Sequence, residues 1–323
     1  TMKILVTGAA GFIGHALVKR LASCATSIVG IDNLNDYYDV ELKHSRLKEL
    51  ESVTNFQFMK ADISDATQLN EIFQSHQFDV VVNLAAQAGV RYSIENPSAY
   101  IQANVVGFFN ILEACRHFAV KHLLYASSSS VYGLNKKTPF SVDDSVDNPI
   151  SLYAATKKSN ELMAHTYAHL YKFKTTGLRF FTVYGPWGRP DMAMFKFTKS
   201  IFEGKPIDIY NNGDLSRDFT YIDDIVEAVS ALVQRSPRAD EPLYHVYNIG
   251  HGSPVNLMDF VRAVEKAADK KAIYNYLPMQ AGDVSQTWAD TQALYEATGC
   301  RPAVKIEEGS ERFVSWFKNY YNV

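Results

Sequence analysis

A tyrosine and a lysine four residues apart, Tyr153 and Lys157, stand in the run Leu152-Tyr153-Ala154-Ala155-Thr156-Lys157. If that run is helical, the two side chains lie one above the other on a single face. The alanines and the long stretch to Tyr171 read as helix, with Pro149 and Ser151 marking its start. An ammonium held beside a phenol favours the phenolate, because a neighbouring opposite charge stabilises the ionised form. Bringing a tyrosine pKa from ~10 to ~7 takes ~4 kcal/mol of differential stabilisation. A fixed lysine and a bound cationic nicotinamide together are candidates to supply it. The product is a base able to take a proton from an alcohol near neutral pH. The same spacing also fits a solvated helix face, so the pair draws its weight from its surroundings.

Those surroundings begin at the N-terminus. Lys3 to Thr7 is a short β-rich run that ends in Gly8-Ala9-Ala10-Gly11-Phe12-Ile13-Gly14 and continues into a helical segment, 15–23. Glycines there let the backbone turn tightly and approach a pyrophosphate, whose charge a helix N-terminus favours. The spacing is G-x-x-G-x-x-G, a variant of the dinucleotide pattern G-x-G-x-x-G. A second strand, 27–31, ends at Asp32, 18 residues past Gly14. A carboxylate at that place accepts hydrogen bonds from a ribose and repels a 2′-phosphate, so NAD is expected rather than NADP. A generic turn with a capping aspartate is the plainer alternative. Strand, glycines, helix and acid in register favour the dinucleotide.

Further apolar runs at 56–59, 80–85, 123–126 and 176–180 are continuous rather than alternating, which suits parallel strands covered on both faces. Alternating with helices, they predict an α/β fold with a doubly wound parallel (Rossmann) sheet. Past Tyr184 the pattern changes to a loop, Gly185-Pro186-Trp187-Gly188-Arg189-Pro190, an apolar helix at 192–203 and irregular polar stretches. The expected organisation is an NAD-binding Rossmann domain over 1–184, with 220–250 packing against it. A smaller, discontinuous α/β substrate domain takes 185–323, mainly 185–219 and 251–323. Helices at 98–118 and 153–171 carry extra apolar surface and, paired across a two-fold, would make a homodimer.

Composition narrows the class. A chain of 323 residues with 47% hydrophobic and 21% charged residues is an ordinary globular enzyme in its make-up. Its net charge of -3 provides no basic field for nucleic acid or acidic membranes. The apolar runs are too short to span a bilayer, and no signal peptide is expected ahead of the first strand. Cys24, Cys115 and Cys300 are far apart and odd in number, which points to the reducing cytoplasm. His165 and His169 stand at i, i+4 but lack the glutamate of H-E-x-x-H, so no metal is expected.

Several motifs occur in order: the glycine loop, Asn83-Leu84-Ala85-Ala86, Ser127-Ser128-Ser129-Ser130-Val131-Tyr132-Gly133, Tyr153-x-x-x-Lys157 and Arg217-Asp218-Phe219-Thr220-Tyr221-Ile222-Asp223-Asp224. With these, the whole chain resembles the extended short-chain dehydrogenase/reductases that act on nucleotide sugars. Within them it most resembles the UDP-glucuronate 4-epimerases, through Arg179-Phe180-Phe181-Thr182-Val183-Tyr184-Gly185-Pro186-Trp187-Gly188-Arg189-Pro190-Asp191-Met192-Ala193.

The resemblance implies roles residue by residue. Tyr153 is then the base, Lys157 holds the nicotinamide ribose and the phenolate, and Ser128 binds the reacting sugar oxygen. Gly8, Gly11, Phe12, Ile13 and Gly14 form the pyrophosphate loop. Asp32 and Asn33 meet the adenosine ribose, Asp62 and Ile63 the adenine, and Leu84, Ala85 and Ala86 the middle of the cofactor. Arg217 contacts the UDP pyrophosphate and Asp283 a ribose or its surroundings. Ser129, Thr182 and Arg189 are expected at the sugar carboxylate, and Arg91 is either a surface residue or a substrate contact.

Thr182 replaces the asparagine usual in UDP-galactose 4-epimerases, and Gln280 replaces an arginine. Ser130 stands where dehydratases and decarboxylases of the family typically carry glutamate. The implied reaction is C4 epimerisation of UDP-glucuronate to UDP-galacturonate through a 4-keto intermediate with tightly bound NAD. The alternatives are a UDP-glucose or UDP-N-acetylglucosamine 4-epimerase, a dehydratase or decarboxylase, and a dinucleotide sensor without catalysis. An intact Tyr153 and Lys157 argue against the last.

Overall fold

Runs of apolar residues too short and too β-branched for helices become the strands of one seven-stranded sheet. Its strands are β1 (Lys3–Thr7), β2 (Ser27–Asp32), β3 (Phe56–Lys60), β4 (Val80–Asn83), β5 (His122–Ser128), β6 (Lys174–Phe180) and a late strand, Tyr244–Ile249. The computed structural model describes residues 2–235, 238–280 and 284–323. The spatial order is late strand, β6, β5, β4, β1, β2, β3. Strands β3 through β6 pair in parallel, with Leu5 opposite both Val29 and Val81, and Val81 opposite Leu123. These side chains are buried, as full coverage of both faces requires.

The covering helices of this part are α1 (Phe12–Leu21), α2 (Val40–Leu50), α3 (Ala66–His76), the short α4 (Tyr92–Glu95) and α5 (Pro97–Tyr100), α6 (Gly107–His117) and α7 (Leu152–Tyr171). From β1 the chain winds outward to β3, then returns to β4 and winds the other way. The order reverses between β1 and β4, and the crevice beyond their C-terminal ends is where such sheets take ligands. The helix expected over 98–118 is present without a break from Pro97 to His117, but not as one regular α-helix. Between α5 and α6, Ile101–Val106 forms a π-helix, for a reason that lies in the site.

Two compact units result. One contains residues up to Asn135, 144–180 and 229–247, and the other contains 136–143, 181–228 and 248–323. The division differs from the boundaries at 184 and 220–250 expected from sequence. Residues 181–184 and 220–228 count with the second unit because β7 (Thr182–Tyr184) pairs with a later strand, Phe219–Tyr221. Lys136–Asp143 joins it too, since the Phe140 carbonyl accepts from Asn248 Nδ2 at 2.8 Å and Phe140 bridges to Ala289.

The remaining elements are α8 (Ala193–Glu203), β8 (Pro206–Tyr210), β9 (Ser216–Arg217), β10 (Phe219–Tyr221), α9 (Ile222–Gln234), β11 (the late strand, Tyr244–Ile249), β12 (Val255–Asn256), α10 (Leu257–Ala268), β13 (Ile273–Leu277), α11 (Gln292–Thr298) and α12 (Ile306–Tyr321). Helix α9 and strand β11 each begin in one unit and end in the other. Aromatic rings fill this unit: Phe219 stacks on Phe260 at 4.3 Å, and Phe195 meets Phe313 and Phe317 edge-on. Among the described residues no helix is long and apolar enough to cross a membrane.

Candidate active site

Helix α7 starts where Ser151 accepts a hydrogen bond from Ala154 N at 3.0 Å, an N-cap that fixes the first turn. Tyr153 is therefore in that first turn and Lys157 one turn further on. Lys157 is only 3% exposed, and its ammonium donates to the Ala126 carbonyl at 3.1 Å. Burial alone pulls its pKa down to about 8. The Nζ atom stands 5.8 Å from the centre of the Tyr153 ring, which meets Tyr100 edge-on at 6.2 Å.

The π-helix serves this pair. Asn104, buried within it, accepts from Gln87 N at 2.8 Å and donates to Gln87 O at 3.1 Å and Thr156 Oγ1 at 3.2 Å. Thr156 Oγ1 donates to the Tyr153 carbonyl at 2.7 Å, and Asn160 Nδ2 donates to the Asn104 carbonyl at 2.6 Å. A regular α-helix ties up each interior carbonyl within itself. The widened turn presents the Asn104 carbonyl sideways to α7. The loop after β4 and the helix of Tyr153 are thus joined through one asparagine.

Ser128, at the end of β5, accepts from Ser130 N at 3.1 Å and from Ser130 Oγ at 2.9 Å. That arrangement leaves the Ser128 proton available to a ligand oxygen. Ser129 is half-buried beside it. Below them Glu161 accepts from Ser127 Oγ at 2.6 Å and from Arg179 Nε and Nη2 at 3.0 and 2.7 Å. Arg179 Nη1 also donates to Tyr132 OH at 3.1 Å. Both charges are nearly fully buried, and fork-to-fork pairing with neutral donors around it is what such a pair needs.

The dinucleotide crevice is built by close backbone approach. At Gly8, with φ +69°, a Cβ would lie 2.9 Å from Ala85 N and Leu84 C; at Gly14 it would lie 2.0 Å from Gly8 O. No other residue fits at either place, and the space is backbone-lined, as a pyrophosphate requires. Thr7 Oγ1 donates to Asn83 Oδ1 at 2.5 Å and accepts from Ala85 N at 3.0 Å, tying β1 to the loop carrying Leu84, Ala85 and Ala86. Asp32 is buried, accepting from Ala10 N at 3.1 Å and Leu34 N at 2.9 Å, so its carboxylate is fixed and its remaining lone pairs only accept.

Burial pushes the Asp62 carboxyl pKa up. Hydrogen bonds from Ser64 N, Ser64 Oγ and Asn33 Nδ2 outweigh it and leave the value lowered. Phe12 and Ile63 are each 5% exposed, so they can offer a ligand mainly their backbone. Gly11 and Ile13 complete the turn into α1, and Arg91 is exposed in the loop after β4. Together these residues fit an NAD-type dinucleotide.

In the second unit, Thr182, Tyr184, Arg189, Met192, Phe219 and Phe260 are among the residues lining a pocket. Arg189 does not present an empty fork. It donates Nε and Nη2 to Asp191 Oδ1 and Oδ2 at 3.0 and 2.6 Å. Arg217 is half-buried and donates Nη1 to Ser216 O at 2.9 Å. Its neighbour Asp218 holds the surrounding chain by accepting from His251 N, Gly252 N and Ala289 N. Asp283 lies outside the described residues.

Asn104, Glu161 and Asp218 are absent from the residues singled out on sequence grounds. Glu161 did carry a signal, standing four residues past Lys157 on the same helix face. Asp218 adjoins Arg217 in a quoted motif, whereas Asn104 carries no local mark.

The model of the NAD dependent epimerase/dehydratase family matches residues 4–250. A probable UDP-glucuronate 4-epimerase of Rhizobium meliloti (strain 1021) is 50% identical over 99% of this chain and 98% of that protein. UDP-glucuronate 4-epimerase 4 of Arabidopsis thaliana is 46% identical over 99% of this chain and 76% of its own length. Among solved structures, UDP-glucuronic acid 4-epimerase from Bacillus cereus in complex with UDP-glucuronic acid and NAD superposes with a TM-score of 0.90. It is 36% identical, over 99% of this chain and 100% of that one.

Proposed function

This chain belongs to the NAD dependent epimerase/dehydratase family, and we propose how its residues conduct the reaction of a UDP-glucuronate 4-epimerase. It interconverts UDP-glucuronate and UDP-galacturonate by inverting C4 through a transient 4-keto sugar, with NAD as cofactor. Bound NAD supplies the acceptor, and then the donor, of the C4 hydride. Tyr153 takes the C4 hydroxyl proton and gives it back to the C4 oxygen when hydride returns to the opposite face of the turned keto sugar. Lys157 stabilises the phenolate that does so, and Ser128 donates its free proton to the C4 oxygen. Gly8, Gly11, Phe12, Ile13 and Gly14 hold the pyrophosphate, and Asp32 with Asn33 the adenosine ribose. Asp62 and Ile63 border the adenine, with Leu84, Ala85 and Ala86 below the middle of the cofactor. Arg217 is assigned to the UDP pyrophosphate, Asp283 to a ribose or its surroundings, and Arg91 to the substrate.

The observation that carries the mechanism is the buried Lys157 ammonium, anchored on Ala126 O one turn from Tyr153. Purified protein incubated with UDP-glucuronate, UDP-glucose and UDP-N-acetylglucosamine, with products resolved by NMR, tests it. UDP-galacturonate is expected as the dominant product, and conversion of the other two sugars in preference would move the substrate assignment.

A ketone at C4 is β to the C6 carboxylate, and β-keto acids lose CO₂. The carboxylate must therefore keep its charge localised until hydride returns. We assign this to Arg189, exchanging Asp191 for the substrate, with Thr182 and Ser129 adding neutral hydrogen bonds. Arg189→Ala is expected to weaken UDP-glucuronate binding by about tenfold or more, to leave UDP binding nearly unchanged and to release some decarboxylated pentose product. Equal calorimetric affinities in parent and variant, with clean epimerisation, would exclude Arg189.

Phe109 on α6 and Leu162 and Leu170 on α7 are large apolar side chains exposed to solvent. Leu162 and Leu170 are eight residues apart on one stripe, so the two helices are suited to meet a second copy. Light scattering is expected to show a dimer that Leu162→Glu shifts toward monomer, and a parent that runs as a monomer would refute it. The three cysteines, all free thiols, fit the cytoplasm, which cell fractionation checks.

A further inference from the structure

The loops that leave β2 and β4 meet over the end of β1. In the sheet β1 lies between β4 and β2, so at a strand spacing of about 4.8 Å the two loops start roughly 10 Å apart. The glycine loop leaves the sheet between them. Nevertheless Tyr37 of the first loop lies against Tyr92 of the second, ring centres 4.9 Å apart and planes inclined by 37°. Gly89 makes room for this approach: its φ is +97°, and a Cβ there would stand 2.4 Å from the Tyr37 hydroxyl.

Both sides are braced. In the first loop Asn35 N donates to Asn33 Oδ1, and Lys43 Nζ donates to Asn35 O at 2.6 Å and Asn35 Oδ1 at 3.0 Å. The fully buried Arg46 donates to the Tyr38 hydroxyl at 2.5 Å and to Ala10 O of the glycine loop at 2.9 Å. The second loop is held by α5, whose Tyr100 hydroxyl points its proton at Ala88 O, 2.6 Å away, and at Gly89 O. Tyr92 meets Tyr100 at 6.1 Å, and Tyr100 meets Tyr153 at 6.2 Å. A line of four tyrosine rings therefore runs from the loop after Asp32 to Tyr153.

We propose that Tyr37 and Tyr92 close a strap over the dinucleotide crevice that retains NAD through both hydride transfers and positions it toward Tyr153. The strap rests on the epimerase function proposed above. Epimerisation has no net redox, so exchange of cofactor has no use, and its escape in reduced form would strand the keto sugar. Binding in the crevice and release from it then require the two rings to part, so the contact acts on the rate of release.

The test measures how fast bound NAD leaves, by displacement with excess labelled NAD, together with the fraction of protein purified with NAD. Tyr37→Ala is expected to release NAD about tenfold faster, while Tyr37→Phe, which keeps the ring, stays close to the parent. Gly89→Ala alters the opposite loop by pushing the Tyr37 hydroxyl away, and it is expected to speed release as well. Because Tyr37→Phe conserves the packing, a general loss of folding in Tyr37→Ala is detected by a lowered melting temperature of the cofactor-stripped protein. Gly89→Ala then decides the matter. If Tyr37→Ala and Gly89→Ala both hold NAD as long as the parent does, the strap is refuted and the NAD site stands. If the parent itself takes up no NAD, the cofactor site is refuted, and the strap with it.

Discussion

Tyr153→Phe is expected to keep the fold and the bound cofactor and to lose turnover by about 10²–10⁴-fold, the usual cost of removing a general base. The substitution takes away one oxygen. It leaves the ring that meets Tyr100 edge-on, the Ser151 cap and the Thr156 bond to the residue-153 carbonyl. Melting temperature and NAD content should therefore match the parent while kcat collapses. Near-parental turnover would move the base to the Ser128–Ser130 cluster.

Lys157→Met is expected to lose turnover by a comparable factor, with a different pH signature. Methionine keeps most of the length of the side chain but removes the charge that favours the phenolate. The variant's residual rate should then climb with pH toward the ordinary tyrosine range near ~10. A residual rate independent of pH would contradict that role. Stability carries a second signature. Burial lowers the Lys157 pKa from 10.5 to about 8. Below pH 8 the lysine is charged in the folded and the unfolded chain, and burying that charge opposes folding. Between pH 8 and 10.5 the unfolded chain binds more protons than the folded one, so this contribution makes stability rise with pH, by roughly 3 kcal/mol in all. Denaturant unfolding across that window should show the parent gaining more stability with pH than the variant does.

The parts of the site that follow from short spacings are legible in the sequence. Gly8, Gly14 and Asp32 must follow strands at fixed offsets, and Tyr153 and Lys157 share a face because a helix repeats every 3.6 residues. What depends on distant partners is not. The stretch 98–118 has the composition of one helix, and only Gln87, Thr156 and Asn160, from other segments, impose a π-helix around Asn104. Glu161 and Arg179 look like ordinary surface charges until β6 brings them together against Ser127. Lys136–Asp143 joins the second unit through Phe140, one apolar residue in a polar stretch. The Arg189–Asp191 pair was within reach of the sequence, since the two residues are separated by Pro190 alone.

The claim that hydride leaves C4 and returns to the same carbon is tested most directly with UDP-glucuronate deuterated at C4, incubated with the protein in ordinary water. The expected result is UDP-galacturonate that keeps its deuterium at C4, with no exchange at C5. Loss of the label to solvent, with inversion intact, would show that a proton rather than a hydride is transferred, and would contradict the roles of NAD, Tyr153 and Lys157 in the proposed reaction.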